Sequence, residues 1–547
     1  MDSLKIIKPF LLKYKYILII YTVFILLSYP LETIFIPKLF SELFKSLNGN
    51  FNEDILITFF KHFGLLMTIT NVSQIICSKI DSYITPRFSE FVTNHVFQKI
   101  LYYYENNYSD LELGTILTRI NSLPSVLREV TTELFNWILP KLFTIIIVNC
   151  YFFYYNKNLG IISFIYLILI CYYNFYEYKK CIILSNKKYK AWELKTEILQ
   201  DKLSNLYSIY SSSKVNDEIN EFKQISSSFK NDQETTMNCT SKIKNVNTIL
   251  TFVFFIYMLY YIARLYKNKV ADINILTTLY MILIFYIPCL TTLVTYLPDY
   301  TNHMGILSSI NDYIKTIDKE NIQKPDIKIT DGKIIINNLN FGYTDKKKIF
   351  TNFNLTINAN DKLAIMGPSG NGKSTLIKLL MGYYKVDDNV IFIDNQDINK
   401  YNLSSLRKQI SFVNQNTKLF NKTIYENIKY GNQITKREID ILIKKYNIIS
   451  IFKNLPKGFK TKVGVNGDSL SGGQKQIIQL LRCYSKKNKI LILDEPTSAL
   501  DLETKKIIIK IIKDISEKST MIIITHDQSN LDLVKQRIII NDGKIII

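Results

Sequence analysis

The chain has 547 residues, enough for several domains, with 47% hydrophobic residues, 21% charged residues and a formal net charge of +21. The lysines are spread along the chain and form no basic stripe interleaved with stacking aromatics, which favours a membrane protein with Lys-rich cytoplasmic loops over a nucleic-acid-binding protein. The 7 cysteines show no CxxC spacing and the 4 histidines are scattered, so we expect neither structural disulfides nor a zinc site.

The N-terminal stretch 2–16 is rich in lysine and is followed by an apolar run. The run continues past Pro30 without a small-residue cleavage site, and the first arginine is Arg87, so the pattern is typical of neither a signal peptide nor an Arg-rich transit peptide. We expect a retained first membrane helix with a cytoplasmic N-terminus.

Six segments are long and apolar enough to cross a bilayer, at roughly 20 residues each. They lie near residues 17–38, 55–77, 134–156, 159–178, 246–266 and 272–297. The two long connections, 79–133 and 179–245, are rich in lysine, and the positive-inside rule places them in the cytoplasm. Their helical periodicity predicts that the membrane helices extend well beyond the bilayer.

Glu32 lies within the first predicted span. An ionisable group at that depth is a functional candidate, although the alternative that we favour places it near the outer mouth, in contact with solvent. The Tyr-rich runs at 151–155 and 257–261 are more typical of an interfacial belt than of a ligand-binding cavity.

From Gly332 onward the chain alternates short strands and helices. The segment GPSGNGKST follows a strand and precedes an apolar helix, which is the context that a phosphate-binding loop requires. Its glycines let backbone amides close round phosphates, Lys373 reaches the outer phosphates, and Ser374 can hold Mg²⁺. The predicted loop residues are Gly367, Pro368, Ser369, Gly370, Asn371, Gly372, Lys373, Ser374 and Thr375.

A second apolar strand, ILILDE, ends in Asp494 and Glu495, at the edge where α/β sheets bind ligands. Asp494 suits a contact with Mg²⁺, and Glu495 is placed to orient or polarise an attacking water. His526 follows another apolar strand and can hydrogen-bond a γ-phosphate. A lone His at the end of a strand more often has a structural role. Because His526 follows the other motifs in the chain, we favour the phosphate contact.

The stretch DSLSGGQKQIIQLL places a serine and two glycines where a second helix begins, which is another way to hold an anion on backbone amides. Taken in order, these motifs resemble those of the ABC transporter family, and in particular an exporter-type half-transporter with six spans followed by one nucleotide-binding domain. The resemblance covers essentially the whole chain and is most specific over residues 332–547.

The resemblance implies roles for further residues. Tyr343 resembles the aromatic that stacks on adenine, and Gln415 resembles the residue that reaches Mg²⁺ and faces the membrane domain. Glu495 becomes the expected catalytic base and His526 the H-switch. The implied signature, which contacts the ATP of a partner chain, is Leu470, Ser471, Gly472, Gly473 and Gln474, and the implied D-loop is Ser498, Ala499, Leu500 and Asp501.

The chain departs from the family pattern around the signature. Ile477 stands where Arg is usual, Lys462 and Val465 stand where acids are expected, and the turn 386–389 lacks the usual Gly. None of these changes removes a phosphate-binding or catalytic group. We therefore expect ATP hydrolysis to survive, with its rate and its coupling to transport open.

The sequence thus predicts a membrane α-helical bundle of six transmembrane helices with long cytoplasmic extensions over residues 1–320, followed by an α/β P-loop ATPase domain, the ABC nucleotide-binding domain, over residues 327–547. One chain carries one phosphate loop and one signature, so the resemblance implies a dimer, most simply a homodimer. ATP and Mg²⁺ are the implied cofactors. The implied function is ATP-driven export of a lipid, a peptide or another amphipathic molecule across an unspecified membrane.

Alternative functions stay open at this point. The chain could be an ATP-gated channel or a regulatory ABC protein, or one half of a heterodimeric exporter paired with a related half-transporter. An importer ranks lower, because importers normally keep these domains on separate chains. The six spans exclude a soluble ATPase, and no nucleic-acid partner is expected.

Overall fold

The computed structural model describes residues 2–47, 53–106, 113–317, 324–343, 348–415, 418–498 and 500–546. The chain divides into two compact units. Unit 1 comprises Met1–Leu101 and Leu111–Lys319, and unit 2 comprises Tyr102–Asp110 and Glu320–Ile547. The domain bounds 1–320 and 327–547 stay predictions.

The described residues of unit 1 form helices joined by short turns. In chain order its helices are α1 (Asp2–Lys13), α2 (Lys15–Pro30), a π-helical turn (Leu31–Phe35), α3 (Ile36–Leu47), α4 (Glu53–Asn106), α5 (Leu113–Thr132), a second π-helical turn (Glu133–Ile138), α6 (Leu139–Tyr155), α7 (Lys157–Ser204), α8 (Leu206–Ser211), α9 (Val215–Lys267) and α10 (Ile273–Ile317). The last residues of α4, from Tyr102 onward, belong to unit 2.

Among these described residues, six helical segments are long and apolar enough to cross a membrane. They are Lys15–Phe44, Leu56–Glu105, Thr118–Tyr155, Lys157–Ser204, Val215–Lys267 and Ile273–Ser308. The prediction of six membrane helices is therefore confirmed.

Three of the helices are far longer than a bilayer requires. α4, α7 and α9 contain 54, 48 and 53 residues. At a rise of 1.5 Å per residue they are about 70–80 Å long, whereas the hydrocarbon core is about 30 Å thick. The predicted helical extensions are confirmed, since most of the two long polar connections continues these helices.

A disulfide joins α7 to α9. It links Cys181 to Cys239, whose Cα atoms are 5.8 Å apart. The prediction of no structural disulfide is wrong for this pair. The two cysteines are 58 residues apart in sequence, and only the packing of α7 against α9 brings them together, so no local spacing pattern could reveal them.

Glu32 lies in the first π-helical turn and is partly buried, with Lys141 of α6 acting on it electrostatically. Lys141 is itself buried: its ammonium lies 3.9 Å from the centroid of the Tyr29 ring and 3.9 Å from the sulfur of Cys289. The side chain of Glu32 is therefore only partly in contact with solvent, and its place near the outer mouth stays a prediction. The sequence analysis did not single out Lys141.

Unit 2 is an α/β unit with two sheets. Its strands are β1 (Ile334–Phe341), β2 (Phe350–Ile357), β3 (Lys362–Met366), β4 (Ile391–Ile393), β5 (Gln396–Asp397), β6 (Ile410–Val413), β7 (Ile490–Asp494), β8 (Thr520–Ile524), β9 (Gln536–Asn541) and β10 (Lys544–Ile546). Its helices are α11 (Lys373–Leu380), α12 (Leu403–Gln409), α13 (Ile424–Lys429), α14 (Lys436–Lys445), α15 (Ile449–Phe452), α16 (Gly472–Lys486), α17 (Leu502–Ser516) and α18 (Gln528–Leu531).

The larger sheet has the strand order β10-β9-β3-β8-β7-β6, and β9, β3, β8, β7 and β6 pair in parallel. The smaller sheet, β2-β1-β4-β5, is antiparallel. β7 and β8 are buried at every position, as expected for parallel strands covered on both faces. Because β3, β7 and β8 are neighbours in one parallel sheet, their carboxyl ends meet at one edge, where such sheets bind ligands.

The two faces of the larger sheet carry separate apolar cores. Leu376 and Ile377 of α11 belong to the core that includes Leu363 and Ile365 of β3. Ala364, the β3 residue between them, belongs to the core built with α13, α16 and α17. Since successive strand residues point to opposite faces, α11 and α16 cover opposite faces of the sheet.

Candidate nucleotide-binding site

The loop between β3 and α11 adopts a conformation that depends on glycine. Gly367, Gly370 and Gly372 have φ values of 137°, 86° and 90°, in the left-handed region that side chains disfavour. A Cβ atom at Gly367 would lie 2.2 Å from the carbonyl oxygen of Ile540 on β9. The backbone therefore passes so close to the neighbouring strand that only glycine fits at this position.

Lys373, the first residue of α11, places its ammonium inside this loop. The Nζ atom donates to the carbonyl oxygens of Gly367, at 2.6 Å, and Pro368, at 2.8 Å, and the residue is 8% exposed. Burial lowers the pKa of Lys373, while the carboxyls of Glu495 and Asp494 act to raise it. The group is thus a cation held at the phosphate loop beside two acids.

Asp494 ends β7 directly beside the start of α11. Its Oδ2 atom accepts a hydrogen bond of 3.2 Å from the Ser374 hydroxyl. Burial raises the pKa of Asp494, and the bond from Ser374 acts to lower it. The two oxygens are the hard ligands that Mg²⁺ prefers, and few protein ligands suffice because Mg²⁺ keeps several waters. Ser374 and Asp494 therefore fit a Mg²⁺ ion.

Glu495 follows Asp494 with a φ of 46°, an uncommon conformation for a residue other than glycine. Its Oε2 atom accepts a hydrogen bond of 2.7 Å from Nε2 of Gln415, which comes from the loop after β6. The structure thus brings together two residues that are 80 positions apart, and the amide of Gln415 also carries an oxygen of the kind that can bind Mg²⁺.

His526 lies after β8 and its side chain is exposed. The next residue, Asp527, caps α18 and accepts a hydrogen bond of 3.1 Å from the Thr497 hydroxyl. Burial alone would raise the pKa of Asp527, but an ion pair with Lys505 and bonds from Ser529 and Thr497 lower it to about 2. The sequence analysis missed this charged network, although the position of Asp527 next to His526 was a signal for it.

Tyr343 lies near the phosphate loop within an aromatic cluster. Its ring meets Phe341 and Tyr384 edge-on, with centroids 5.5 and 5.2 Å away, and its hydroxyl lies 3.0 Å from the hydroxyl of Thr375. The Tyr343 side chain is half exposed. Adenine stacking by this ring stays a prediction, and Tyr384 is an aromatic neighbour that the sequence analysis did not identify.

The signature begins α16 with a reciprocal cap. The Ser471 hydroxyl accepts a bond from the backbone N–H of Gln474, and the Gln474 side chain accepts one from the N–H of Ser471. A Cβ atom at Gly473 would lie 2.6 Å from Cγ2 of Thr504 on α17, whereas a Cβ atom at Gly472 would meet nothing within 4 Å. Gly473 therefore serves internal packing, and Gly472 opens onto space that the described residues do not fill.

The predicted D-loop lies between Glu495 and α17. The Ser498 hydroxyl donates to the carbonyl oxygen of Glu495 at 3.3 Å, and Asp501 caps α17 by accepting from the N–H of Thr504 at 2.9 Å. The Leu500 side chain lies 3.4 Å from the position of a Cβ atom at Gly473. The D-loop thus contacts both Glu495 and the signature, and Ala499 lies outside the described residues.

The departures from the family pattern are accommodated locally. Ile477 is fully buried in the core beneath α16, where an apolar side chain packs without a charge to pair. Val465 is 65% exposed and Lys462 is exposed, so neither disturbs the core. In the turn 386–389, Asn389 takes the left-handed conformation, with a φ of 63°, that glycine usually supplies.

Comparisons with known proteins identify the family and the fold. The family model "ABC transporter transmembrane region" matches residues 17–287, and the family model "ABC transporter" matches residues 350–498. A bacterial Atm1-family ABC exporter solved with ATP bound has the same fold, with a TM-score of 0.88, 20% identity, and coverage of 98% of this chain and 95% of that one.

Three curated relatives illustrate the sequence similarity. The mitochondrial iron-sulfur clusters transporter ATM1 of Debaryomyces hansenii is 44% identical over 176 residues, covering 32% of this chain and 25% of that protein. ABC transporter B family member 13 of Arabidopsis thaliana is 35% identical over 268 residues, which cover 48% of this chain and 22% of that protein. The heavy metal tolerance protein of Schizosaccharomyces pombe is 39% identical over 183 residues, which cover 33% of this chain and 22% of that protein.

The aligned part of the chain thus spans about a quarter of the length of these relatives. The two family models together match most of the chain, in the order membrane region and then nucleotide-binding domain. The phosphate loop after β3 and the acids that end β7 lie at one edge of the larger sheet. The chain belongs to the ABC transporter family, and its fold is that of a bacterial Atm1-family ABC exporter.

Proposed function

We propose that two copies of this chain form an ATP-driven exporter, an ATPase that couples hydrolysis to movement of a substance across a membrane. The observation that carries the proposal is the placement of two anion-binding helix starts, those of α11 and α16, on helices that cover opposite faces of one sheet. Each occurs once in the chain. A head-to-tail pair would bring the signature of one copy to the ATP on the phosphate loop of the other, closing two equivalent sites.

In this proposal the residues of unit 2 divide the chemistry between them. The loop amides and Lys373 hold the β- and γ-phosphates, and Tyr343 supports the adenine. Ser374, Asp494 and Gln415 would hold Mg²⁺, which neutralises charge on the phosphate oxygens. Glu495 accepts the proton of the attacking water, Gln415 keeps its carboxylate in place through the 2.7 Å bond, and His526 contacts the γ-phosphate.

Transport follows if ATP binds the paired state more tightly than the separated state, because a ligand shifts a conformational equilibrium only by its differential affinity. The long helices α4, α7 and α9 would transmit that closure to the membrane bundle. The Lys-rich connections support a cytoplasmic N-terminus and a cytoplasmic nucleotide-binding unit. Intact acid, histidine and signature residues favour two identical copies over a pair with a degenerate half.

The names of the relatives bear on the cargo. The fungal relatives are named for iron-sulfur clusters and for heavy-metal tolerance, and none of these names mentions a lipid or a peptide. We therefore infer an iron-sulfur-related or other metal-containing cargo in place of the lipid or peptide that the family resemblance first suggested.

The proposed pairing predicts a loss of activity from a single methyl group. Gly472→Ala adds a Cβ atom that meets nothing within 4 Å in its own chain, so the fold should be unchanged. The methyl group would enter the space of the partner's phosphates and lower Mg²⁺-dependent ATP hydrolysis at least about tenfold, a cost of about 1.4 kcal/mol. The measurement is the hydrolysis rate of the full chain in lipid nanodiscs.

The matched control is Gly64→Ala in α4, a helical glycine with equally open surroundings, which should hydrolyse ATP at the native rate. A native rate in Gly472→Ala would show that the signature does not face ATP. A native chain with no Mg²⁺-dependent hydrolysis would contradict the homodimeric pump itself.

A further inference from the structure

Three metal-ligating side chains converge in unit 1. Glu129 lies on α5, Glu133 begins the second π-helical turn, and His303 lies on α10. Their ligand atoms all lie within 4.8 Å of one another, and Nδ1 of His303 is 3.2 Å from a carboxylate oxygen of Glu133. Within the described residues, the three side chains form one cluster that joins the α5–α6 region to α10.

The cluster combines a buried acid with an accessible one. The side chain of Glu133 is 9% exposed, and an ionisable group at such a place in a membrane bundle is costly unless it is paired. Glu129 is 41% exposed and pairs with Arg128, which is also exposed. An ion could therefore enter past Glu129 and reach the carboxylate of Glu133 and the imidazole of His303.

The local helix geometry is unusual at the same point. The chain forms a π-helical turn from Glu133 to Ile138 between α5 and α6. Such turns are rare and are found frequently at functional sites, because the wider turn changes the direction of the side chains that follow. It is the second such turn in the described part of the bundle, after the one at Leu31–Phe35.

The donor set selects a class of ion. Two carboxylates and one imidazole suit divalent first-row transition metals such as Zn²⁺, Fe²⁺ or Mn²⁺. Soft Cu⁺ would require thiolate or thioether ligands, and Ca²⁺ and Mg²⁺ prefer oxygen alone. Three protein ligands leave coordination positions open, which is typical of a site that exchanges its ligands and not of a closed structural site.

The cluster lies at one end of the membrane span. The helical stretch from Glu133 to Tyr155 covers 22 steps along the chain (155 − 133). At 1.5 Å per residue this distance is about 33 Å, close to the thickness of the hydrocarbon core. With the N-terminus in the cytoplasm, the cluster faces the inner surface of the membrane.

We propose that Glu129, Glu133 and His303 bind a divalent first-row transition-metal ion at the inner end of the membrane bundle. The position at the inner end rests on the orientation in the proposed function, whereas ion binding requires neither ATP nor hydrolysis. The ion is held in the unit that a metal-containing cargo would have to cross.

The test is a titration of the tag-free full chain in nanodiscs with Co²⁺, followed by its visible absorption, with Zn²⁺ as the competitor. We expect one Co²⁺ site per chain from which Zn²⁺ displaces the probe. Glu133→Gln and His303→Gln should each weaken Co²⁺ binding at least about tenfold, because even the loss of a group that only supports a metal ligand costs about 10–100-fold.

Two further variants keep the result decisive. Glu129→Gln changes a half-exposed side chain, so this variant should fold even if the other two do not, and it should also weaken Co²⁺ binding. Glu177→Gln on α7 is the control, since that buried acid has Lys180 and Lys242 as neighbours, each at 3.8 Å, and should bind Co²⁺ as the native chain does.

Native Co²⁺ affinity in folded Glu129→Gln would overturn the proposal, as would native affinity in Glu133→Gln or His303→Gln. Loss of ATP hydrolysis in the native chain would leave the Co²⁺ titration unaffected. The two proposals can therefore fail separately.

Discussion

Replacing Glu495 with Gln is expected to lower Mg²⁺-dependent ATP hydrolysis by about 10²–10⁴-fold, the usual contribution of a general base. Gln has the same shape and can still bond to the side chain of Gln415, which now lies 2.7 Å from the carboxylate. It cannot accept the proton of the attacking water. ATP should therefore still bind, and the loss should appear in kcat with little change in KM.

The measurement is steady-state hydrolysis in nanodiscs together with equilibrium binding of ATP. Glu517→Gln, an exposed acid just beyond the end of α17, is the matched control and should hydrolyse ATP at the native rate. A Glu495→Gln rate within about threefold of native would remove Glu495 from the role of base, since general-base catalysis accounts for at least about 10².

Replacing Lys373 with Met is expected to lower kcat/KM for ATP by about 10²–10³-fold, the usual cost of losing one preorganised charge at a reacting phosphate or oxyanion. Met has a similar length and suits the buried stem of Lys373, so the fold should persist. The ammonium that bonds to Gly367 and Pro368 would be absent, and with it the positive charge beside the phosphates.

Lys378→Met is the control for this change, because Lys378 lies on the same helix, α11, and is only partly buried. Its hydrolysis should fall far less than that of Lys373→Met, because the charge of Lys378 acts on Asp494 less strongly than that of Lys373 does. Equal losses of hydrolysis in Lys373→Met and Lys378→Met would show that the rate depends on the total charge of α11 and not on the position of Lys373.

Much of the fold was predictable because its signals are local. Each of the six apolar runs is long enough to cross a bilayer, and the polar connections keep the periodicity of an α-helix. Both the membrane helices and their extensions therefore follow from the sequence. The phosphate loop was equally visible, since strand, glycines, Lys373 and helix are contiguous. Asp494 and Glu495 ended a run of buried residues, which fixed their place at the edge of the sheet.

The features that the sequence analysis missed depend on helix packing over long separations. Glu129 and Glu133 are one helical turn apart and could have been paired from sequence, but their partner His303 is 170 residues away from Glu133. The Cys181–Cys239 disulfide depends on packing between helices in the same way. Ile477 is the opposite case. The family resemblance marked it as a departure, whereas its surroundings in the structure make it an ordinary core residue.

The central claim, that each ATP lies between two copies, is tested most directly by cross-linking the phosphate loop of one copy to the signature of another. Ser369→Cys and Ser471→Cys would be placed on separate, differently sized chains, both with Glu495→Gln to retain ATP, and co-assembled in one membrane. Ser369 and Ser471 are both exposed in the single chain, so a partner can reach them.

With a mild added oxidant such as copper phenanthroline to accept the two electrons, the account predicts an ATP-dependent disulfide that joins the two differently sized chains and that neither chain forms alone. The unmixed samples show any disulfide that the native free cysteines form, so these samples are the control for those cysteines. Efficient joining of the two chains without ATP, or no joining with ATP when both variants bind it, would contradict the proposed pairing of the phosphate loop with the partner's signature.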